Sequence, residues 1–322
     1  MSYGQLSTLG ITFQNSYGTA GSTSSIHWLP FLSEGIGLNI PPKYSESIRG
    51  VYDEGDTYAG PRTVDGDIET EANPIALGAM LKSVFQLISS TQSGGTYSHL
   101  FKPRTADFDL FSANNPLTIY KYLDTGSAML YQDMNGSTLE MNIANGEFLK
   151  CKVGYVGGQF SQIAAVAQTL PTAKRWAWDV CSISFGGTAK SVISAMTIAV
   201  DDGALEASHT LNGSAYPSRV KRTGWRSVSI DGTLKFQDQT EYQQFISQTE
   251  QELIMSFKGP TEIQSGYYET LELKLPLMRF EEAKPAAGGP GYIEMTVKGR
   301  GKYSVTSATA MQITLVNTRA TY

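Results

Sequence analysis

Four acidic residues occur at every second position of one short segment. These are Asp65, Asp67, Glu69 and Glu71, which we call the acidic stripe. Successive side chains of a β-strand point to opposite faces, so this spacing places four carboxylates on one strand face. Carboxylate pairs can act as acid and base in glycoside hydrolysis, and carboxylate oxygens can bind hard cations such as Ca²⁺. A solvated strand face is the simpler interpretation, because a calcium loop needs a curved, glycine-containing backbone.

The segment that carries the stripe has a counterpart in the second half of the chain. Val64–Phe85 and Val228–Ile246 each contain a strand-like run, an Asp-Gly pair and a helix-like run. Asp65 and Asp231 are 231 − 65 = 166 positions apart, about half of the 322 residues. This repetition predicts a duplicated domain; the alternative is two unrelated β-domains that share a helix by coincidence. The stripe positions of the second copy hold Ser229, Asp231, Thr233 and Lys235. The fold therefore does not require the acid cluster.

Other residue types give little sign of catalysis or metal binding. His27, His99 and His209 are far apart and lack the spacing of a zinc site or a His-based triad. The sequence has no Gly-x-Ser-x-Gly elbow and no Gly-x-x-x-x-Gly-Lys phosphate loop. Cys151 and Cys181 are too few for a disulfide framework or a cysteine-rich metal site. We therefore expect no enzymatic activity, no catalytic residues, no metal and no cofactor.

Two long polar loops, Glu46–Pro61 and Thr210–Thr223, lie at corresponding places in the two halves. Loops of this length are uncommon in compact domains unless they have a function. The first carries the acidic residues Asp53, Glu54 and Asp56, and the second carries the basic residues Arg219, Lys221 and Arg222. Opposite charges at equivalent places predict contacts between stacked copies of the chain. A solvated run of charge is the alternative.

Composition indicates a globular, β-rich protein. The chain is 41% hydrophobic and 17% charged, and 32 glycines separate its short apolar runs. A net charge of −5 argues against a protein that grips nucleic acid by neutralising phosphates. Met1-Ser-Tyr-Gly-Gln lacks the basic start of a signal peptide, and no apolar run reaches the about 20 residues of a membrane span. We expect assembly in the cytoplasm without membrane insertion.

The predicted fold is mainly β, with two tandem β-sandwich or barrel domains, each flanked by a short α-helix. Asn73-Pro74 predicts the start of the first helix, with Leu77, Leu81, Val84 and Ile88 on its buried face. Thr240 and Gln243 predict a capping box for the second, with Tyr242, Phe245 and Ile246 on one face. The predicted organisation is a flexible N-terminal arm (1–25), a first domain (26–157), a linker (158–175) and a second domain (176–322).

In order along the chain, several short motifs resemble the tail tube (major tail) protein of long-tailed bacteriophages. They are Ser16-Tyr-Gly-Thr19, Pro30-Phe-Leu-Ser-Glu34, Val64-Asp-Gly with its helix, Tyr97-Ser-His-Leu-Phe-Lys-Pro103, Leu117-Thr-Ile119 and the strand pair from Gly136 to Gly158. Each motif is weak alone, and the resemblance covers nearly the entire chain. The resemblance implies a structural virion protein that forms rings, which stack into a hollow tube through which DNA passes from capsid to host.

Most rings of that family contain six single-domain subunits. Two tube-like domains in one chain therefore imply a homotrimeric ring with pseudo-sixfold symmetry. The resemblance also implies a tape-measure protein and tail-tip or terminator proteins as partners and no sequence-specific DNA binding. In such a tube the acidic stripe is a candidate for the lumen-facing side, with a solvated outer side as the alternative. A tail-tip or baseplate ring protein is the main alternative, and a carbohydrate-binding or glycan-hydrolysing β-protein is a further one.

Overall fold

The computed structural model describes residues 4–104, 116–124, 126–287 and 289–322. The prediction of a mainly β fold is confirmed, because these residues form twenty-three strands and two α-helices. The helices are α1 (Leu77–Val84) and α2 (Thr240–Ile246). The strands are β1 (Thr8–Phe13), β2 (His27–Leu29), β3 (Ser33–Glu34), β4 (Gly37–Asn39), β5 (Pro42–Tyr44), β6 (Thr57–Ala59), β7 (Thr63–Glu71), β8 (Gln86–Ser93), β9 (Thr96–Lys102), β10 (Leu117–Tyr122), β11 (Ser127–Ala144), β12 (Lys150–Gly157), β13 (Gln159–Ala164), β14 (Cys181–Phe185), β15 (Thr188–Ala189), β16 (Ile193–Asp201), β17 (Leu205–Ser208), β18 (Arg219–Arg222), β19 (Ser227–Lys235), β20 (Gln251–Gln264), β21 (Tyr267–Ala286), β22 (Glu294–Gly301) and β23 (Gln312–Asn317).

One antiparallel run of strands crosses both halves of the chain, and we call it the shared sheet. Its order is β3 and β4, then β7, β12, β11, β16, β19, β22 and β21. The two halves meet at the β11–β16 pair, where Thr138–Ala144 lies beside Ala195–Asp201. The two predicted domains are thus joined by backbone hydrogen bonds, and the linker is not their only connection.

Strands β11 and β21 are long enough to belong to two sheets each. Their N-terminal parts leave the shared sheet and pair in outer layers ordered β2–β1–β10–β11–β13 and β15–β14–β20–β21–β23. The strand order β4–β7–β12–β11 in the first half therefore corresponds to the order β16–β19–β22–β21 in the second half. The β8–β9 hairpin has no such counterpart among the described residues and extends the second outer layer through β23. The core lies between the layers, where one face of each strand is buried; Ile68, Met141, Ile230 and Val297 are examples.

The structure corrects the predicted arm and the predicted linker. Strand β1 falls within the expected flexible arm, yet it pairs with β2 and β10 and buries Leu9 and Ile11 completely. The surrounding Ser, Thr and Gly residues obscured this short apolar run in the sequence. Strand β13 occupies the first part of the expected linker, and 165–175 has no regular structure. Residues 1–3 lie outside the described part of the chain, and the division into two domains stays a prediction.

Helix α1 begins at Leu77, after a turn at 74–76, so it starts later and ends earlier than the sequence predicts. The side-chain oxygen of Asn73 accepts hydrogen bonds from the backbone N–H groups of Ile75 (3.0 Å) and Ala76 (3.2 Å). Leu77, Leu81 and Val84 are buried, whereas Ile88 lies in β8 and is 48% exposed. The placement of Ile88 on the helix was wrong because the backbone becomes extended at residue 85.

The side-chain hydrogen bond at the start of helix α2 comes from a residue that the sequence interpretation did not choose. The Asp238 carboxylate accepts a hydrogen bond from the backbone N–H of Thr240 at 2.8 Å, and Thr240 is the first helical residue. The predicted capping box of Thr240 and Gln243 is therefore wrong. Tyr242 and Phe245 pack against the core, whereas Ile246 is 56% exposed and does not share their face.

Candidate functional surface

The face of the shared sheet that points away from the core is polar and continuous across both halves. Strand alternation places every second residue on it, and the strand register aligns these residues into rows. One row runs across seven strands through Glu71, Lys150, Asn142, Thr197, Asp231, Lys298 and Glu282. Acidic and basic residues are interspersed along the row, so the face has mixed charge.

The acidic stripe lies on this polar face of β7. Lys152 Nζ lies 2.6 Å from an Asp67 carboxylate oxygen, and Arg175 Nε lies 2.8 Å from a Glu71 carboxylate oxygen. The Asp67 carboxylate raises the pKa of Lys152 through its hydrogen bond and its charge. Two of the four acids therefore have cationic partners, and all four come from a single strand. This arrangement favours a solvated wall over a glycosidase site, whose two carboxylates flank the scissile bond.

The glycine of the first Asp-Gly pair has a specific steric role. Gly66 has a φ of +144°, and a Cβ there would lie 2.3 Å from the carbonyl oxygen of Gly35. Only glycine allows the 35–36 backbone to cross β7 at this distance. Gly232 lies in β19 without a left-handed φ, and its closest neighbour is the flexible Met196 side chain. The two Asp-Gly pairs therefore differ in the backbone conformation of their glycines.

The first long loop forms an exposed hairpin built on β5 and β6. Every residue from 41 to 59 is exposed except Gly55. Asp53, Glu54 and Asp56 lie on it, and Asp56 forms an ion pair with Arg49 of the same loop at 2.8 Å. Apolar side chains are also exposed at its tip, namely Ile48 (101%), Val51 (64%) and Tyr52 (110%). We call residues 41–60 the free hairpin.

The second long loop, between β17 and β18, folds back onto its own chain. Arg219 and Lys221 are exposed, but Arg222 lies 2.8 Å from the Asp202 carboxylate, whose side chain is only 2% exposed. Arg226 contacts the other oxygen of Asp202 at 2.5 Å. In this chain the structure does not bring Arg222 to the acids of the free hairpin. Asp202 and Arg226 were missed in the sequence, although the Asp201-Asp202 pair after an apolar strand gave a signal.

An open cavity of about 790 Å³ lies beside this cluster. It is lined by polar, aromatic and small residues that include Arg104, Arg222, Trp225, Arg226 and Tyr303. Trp225 is 95% exposed and Tyr303 is 63% exposed. Sequence reasoning missed this cavity because the residues that form it come from distant parts of the chain.

Within the described ranges, no group of three or more His, Cys, Asp or Glu residues is placed to hold a metal ion. None of the helices in those ranges is long and apolar enough to cross a membrane. Burial raises the pKa of the Cys151 thiol and of the Cys181 thiol to about 12, so both are protonated near neutral pH.

Comparison with known proteins places the chain in a family. None of the curated proteins matches it. A family model described as phage tail tube protein matches residues 4–307, which is nearly the whole chain. The chain therefore belongs to the phage tail tube protein family.

Proposed function

We propose that this chain is the repeating subunit of a hollow tail tube. Copies join head to tail into a ring, the shared sheet of each copy forms part of the ring wall, and rings stack into a conduit for DNA. Membership in the tail tube family makes the chain a structural component of the phage virion. A purely structural role fits that family, so we infer that the protein is not an enzyme.

The observation that carries this proposal is the pair of half-paired edges at the ends of the shared sheet. Among the described residues, β3 and β4 pair only with β7. At the other end, within the described ranges, residues 279–286 of β21 pair only with β22. Unpaired edges are templates for the addition of another strand. Two such edges on one subunit support head-to-tail joining of identical copies. The joined copies close into a ring when the rotation between neighbours divides evenly into a full turn.

The joint within the chain supports a geometry for the joint between chains. Strands β16 and β4 hold equivalent places in the two halves. Thr197 of β16 lies opposite Asp231 of β19, and Gly37 of β4 lies opposite Asp65 of β7. Strand β16 is already paired with β11, the counterpart of β21. By the same pairing, β21 of one copy would add to β4 of the next. The sheet would then continue from copy to copy without a free edge.

Two similar units in each chain support three copies in a ring, with pseudo-sixfold symmetry and both units in the wall. On this proposal the duplicated unit includes β1 and β13, because β14 and β23 hold the matching places in the second half. Tape-measure and tail-tip or terminator proteins are the proposed partners. We place assembly in the host cytoplasm.

The polar face of the shared sheet is the proposed lumen surface, and it includes the acidic stripe. Mixed charge with a net charge of −5 over the chain provides no continuous basic track for phosphates. DNA would then pass without being held at fixed sites.

Electron microscopy of the concentrated protein, with native mass spectrometry of single rings, tests this proposal. We expect hollow tubes and rings of three times 35.0 kDa, about 105 kDa. A ring of twice that mass would exclude the trimer. Single rings that never stack would favour the tail-tip alternative, and a chain that stays monomeric under concentrating conditions would refute ring formation.

A further inference from the structure

A loop of the second half is seated on the first half of the same chain. The backbone N–H of Arg62 donates to the carbonyl oxygen of Ala215 at 2.8 Å, and the Arg62 guanidinium lies 5.3 Å from the Tyr216 ring centroid. Tyr17 Oη donates to the carbonyl oxygen of Pro217 at 2.8 Å. We call residues 209–217 the seated loop. It covers the end of the first half where β7 begins.

The matching end of the second half is the 790 Å³ cavity. Arg62 and Val228 each lie three residues before the Asp of their Asp-Gly pair. Val228 lines the cavity together with Gly301 and Tyr303, which lie at and beyond the end of β22. The first half therefore has a loop seated at this position, whereas the described residues of the second half leave an open space there.

The matching loop of the first half is the free hairpin. It connects β4 to β7, as the seated loop and its flanking strands connect β16 to β19. Its hydrogen bonds among the described residues include Ser45 N–H to Asp56 O and Gly60 N–H to Pro41 O, both within the hairpin. Ile48, Val51 and Tyr52 are exposed at its tip. Exposed apolar side chains in such a group usually mark a contact surface.

The two surfaces are also complementary in charge. The cavity is lined by Arg104, Arg222 and Arg226, with the exposed rings of Trp225 and Tyr303 beside them. Asp202 pairs with Arg222 and Arg226, so these four charged residues together keep an excess of positive charge. The free hairpin carries acidic residues at 46, 53, 54 and 56 against basic residues at 43 and 49. Complementary charge steers association and fixes register.

We propose that the free hairpin of one copy seats in the cavity of the neighbouring copy in the same ring. This contact between two chains is equivalent to the contact that the seated loop of the second half makes with the first half of its own chain. It rests on the proposed ring, and it assigns the free hairpin to a lateral contact instead of the contact between stacked rings that the sequence suggested. Its occupant is a second copy of this chain.

Cysteine cross-linking tests this contact directly. One chain carries Val51→Cys at the hairpin tip, and a second carries Trp225→Cys at the cavity. We expect disulfide-linked dimers when the two are mixed and assembled. Seating raises the effective thiol concentration, so the yield should be about tenfold higher than for Val51→Cys mixed with Thr249→Cys, which is exposed and outside the cavity. The native chain gives the background from Cys151 and Cys181.

A double variant, Val51→Cys with Trp225→Cys, separates lateral contacts from stacking contacts. Lateral seating gives a covalent ladder that stops at the number of copies in one ring, whereas a contact between rings gives a ladder that continues beyond it. Native tubes without the Val51–Trp225 cross-link, or with the longer ladder, would overturn the inference and leave the proposed tube intact. A native chain that forms no rings would overturn both.

A second variant does not depend on cysteine chemistry. Replacing Ile48, Val51 and Tyr52 by Ser should abolish ring formation and leave the monomer's unfolding midpoint unchanged, because all three side chains are exposed in the free chain. Rings that form as readily as those of the native chain would contradict the inference.

Discussion

Replacing His27 by Phe should change how the stability of the monomer depends on pH. His27 is 8% exposed, and its ring lies 5.8 Å from the rings of both Phe13 and Tyr322. Burial, together with the charges of Arg319 and Lys82, lowers the pKa of His27 from 6.5 to about 3. Phe keeps an aromatic ring in this contact and removes the titrating group.

The direction of the effect follows from proton linkage. Below pH 6.5 the unfolded chain takes up a proton at His27, whereas the folded chain does not until about pH 3. The free energy of unfolding therefore falls as the pH drops through this window. At about 1.36 kcal/mol per pKa unit, this one group removes about 2 kcal/mol between pH 7 and pH 5.

Asp133 acts in the opposite direction. Burial raises its pKa from 3.8 to about 6, so the folded chain binds this proton first, and stability falls as the pH rises through that window. In the native protein this offsets part of the loss that His27 causes between pH 7 and pH 5. Asp133 is the same in both proteins, so subtracting native from variant isolates His27.

The assay is urea unfolding of the monomer at pH 7 and pH 5, followed by tryptophan fluorescence. The His27→Phe protein should lose about 2 kcal/mol less than the native protein on acidification. Phe13→Leu is the control, because it alters the same contact without a titrating group and should lower stability equally at both pH values. Equal losses for native and His27→Phe would refute the reasoning.

Three further predictions concern the strained glycine, the buried ion pairs and the acidic stripe. Gly66→Ala should lower the unfolding free energy by about 2 kcal/mol or more, and Gly232→Ala by less, because only the former forces a Cβ against backbone atoms. Thermal unfolding of both variants measures the difference, and equal losses of stability would contradict the prediction. Asp202→Asn should lower the unfolding free energy by about 3 kcal/mol, because it leaves two arginines without their buried carboxylate. Asp56→Asn, at an 89% exposed site, should lower it by less than about 1 kcal/mol. Urea unfolding compares the two variants, and similar losses of unfolding free energy would contradict the role given to burial. Replacing the acidic stripe by Asn and Gln should leave rings intact in electron micrographs, since its ion pairs are exposed, and should slow DNA release from virions in an ejection assay; loss of the rings would assign the stripe to assembly instead.

Much of the fold could be predicted from local pattern. Alternating residues such as those of Val64–Glu71 and Val228–Lys235 indicate strands because one face of a sheet is buried and the other is wet. The side chain of Asn73 similarly identified the turn that leads into α1, since its hydrogen bonds reach only two or three residues along the chain. Strand β1 was missed, because its burial depends on pairing with β10, more than 100 positions away.

The candidate surfaces show the same division between local and long-range information. The sequence by itself placed the acidic stripe on one strand face and located the two long loops, because both depend on spacing along the chain. Only the tertiary structure decided that β11 and β16 join the two halves, that Lys152 and Arg175 pair with the stripe, and that the loop ending at Pro217 seats on Arg62 while the free hairpin stays exposed. These outcomes depend on which strand edges and charged side chains come together across long sequence separations. The spacing of residues along the chain does not determine those contacts.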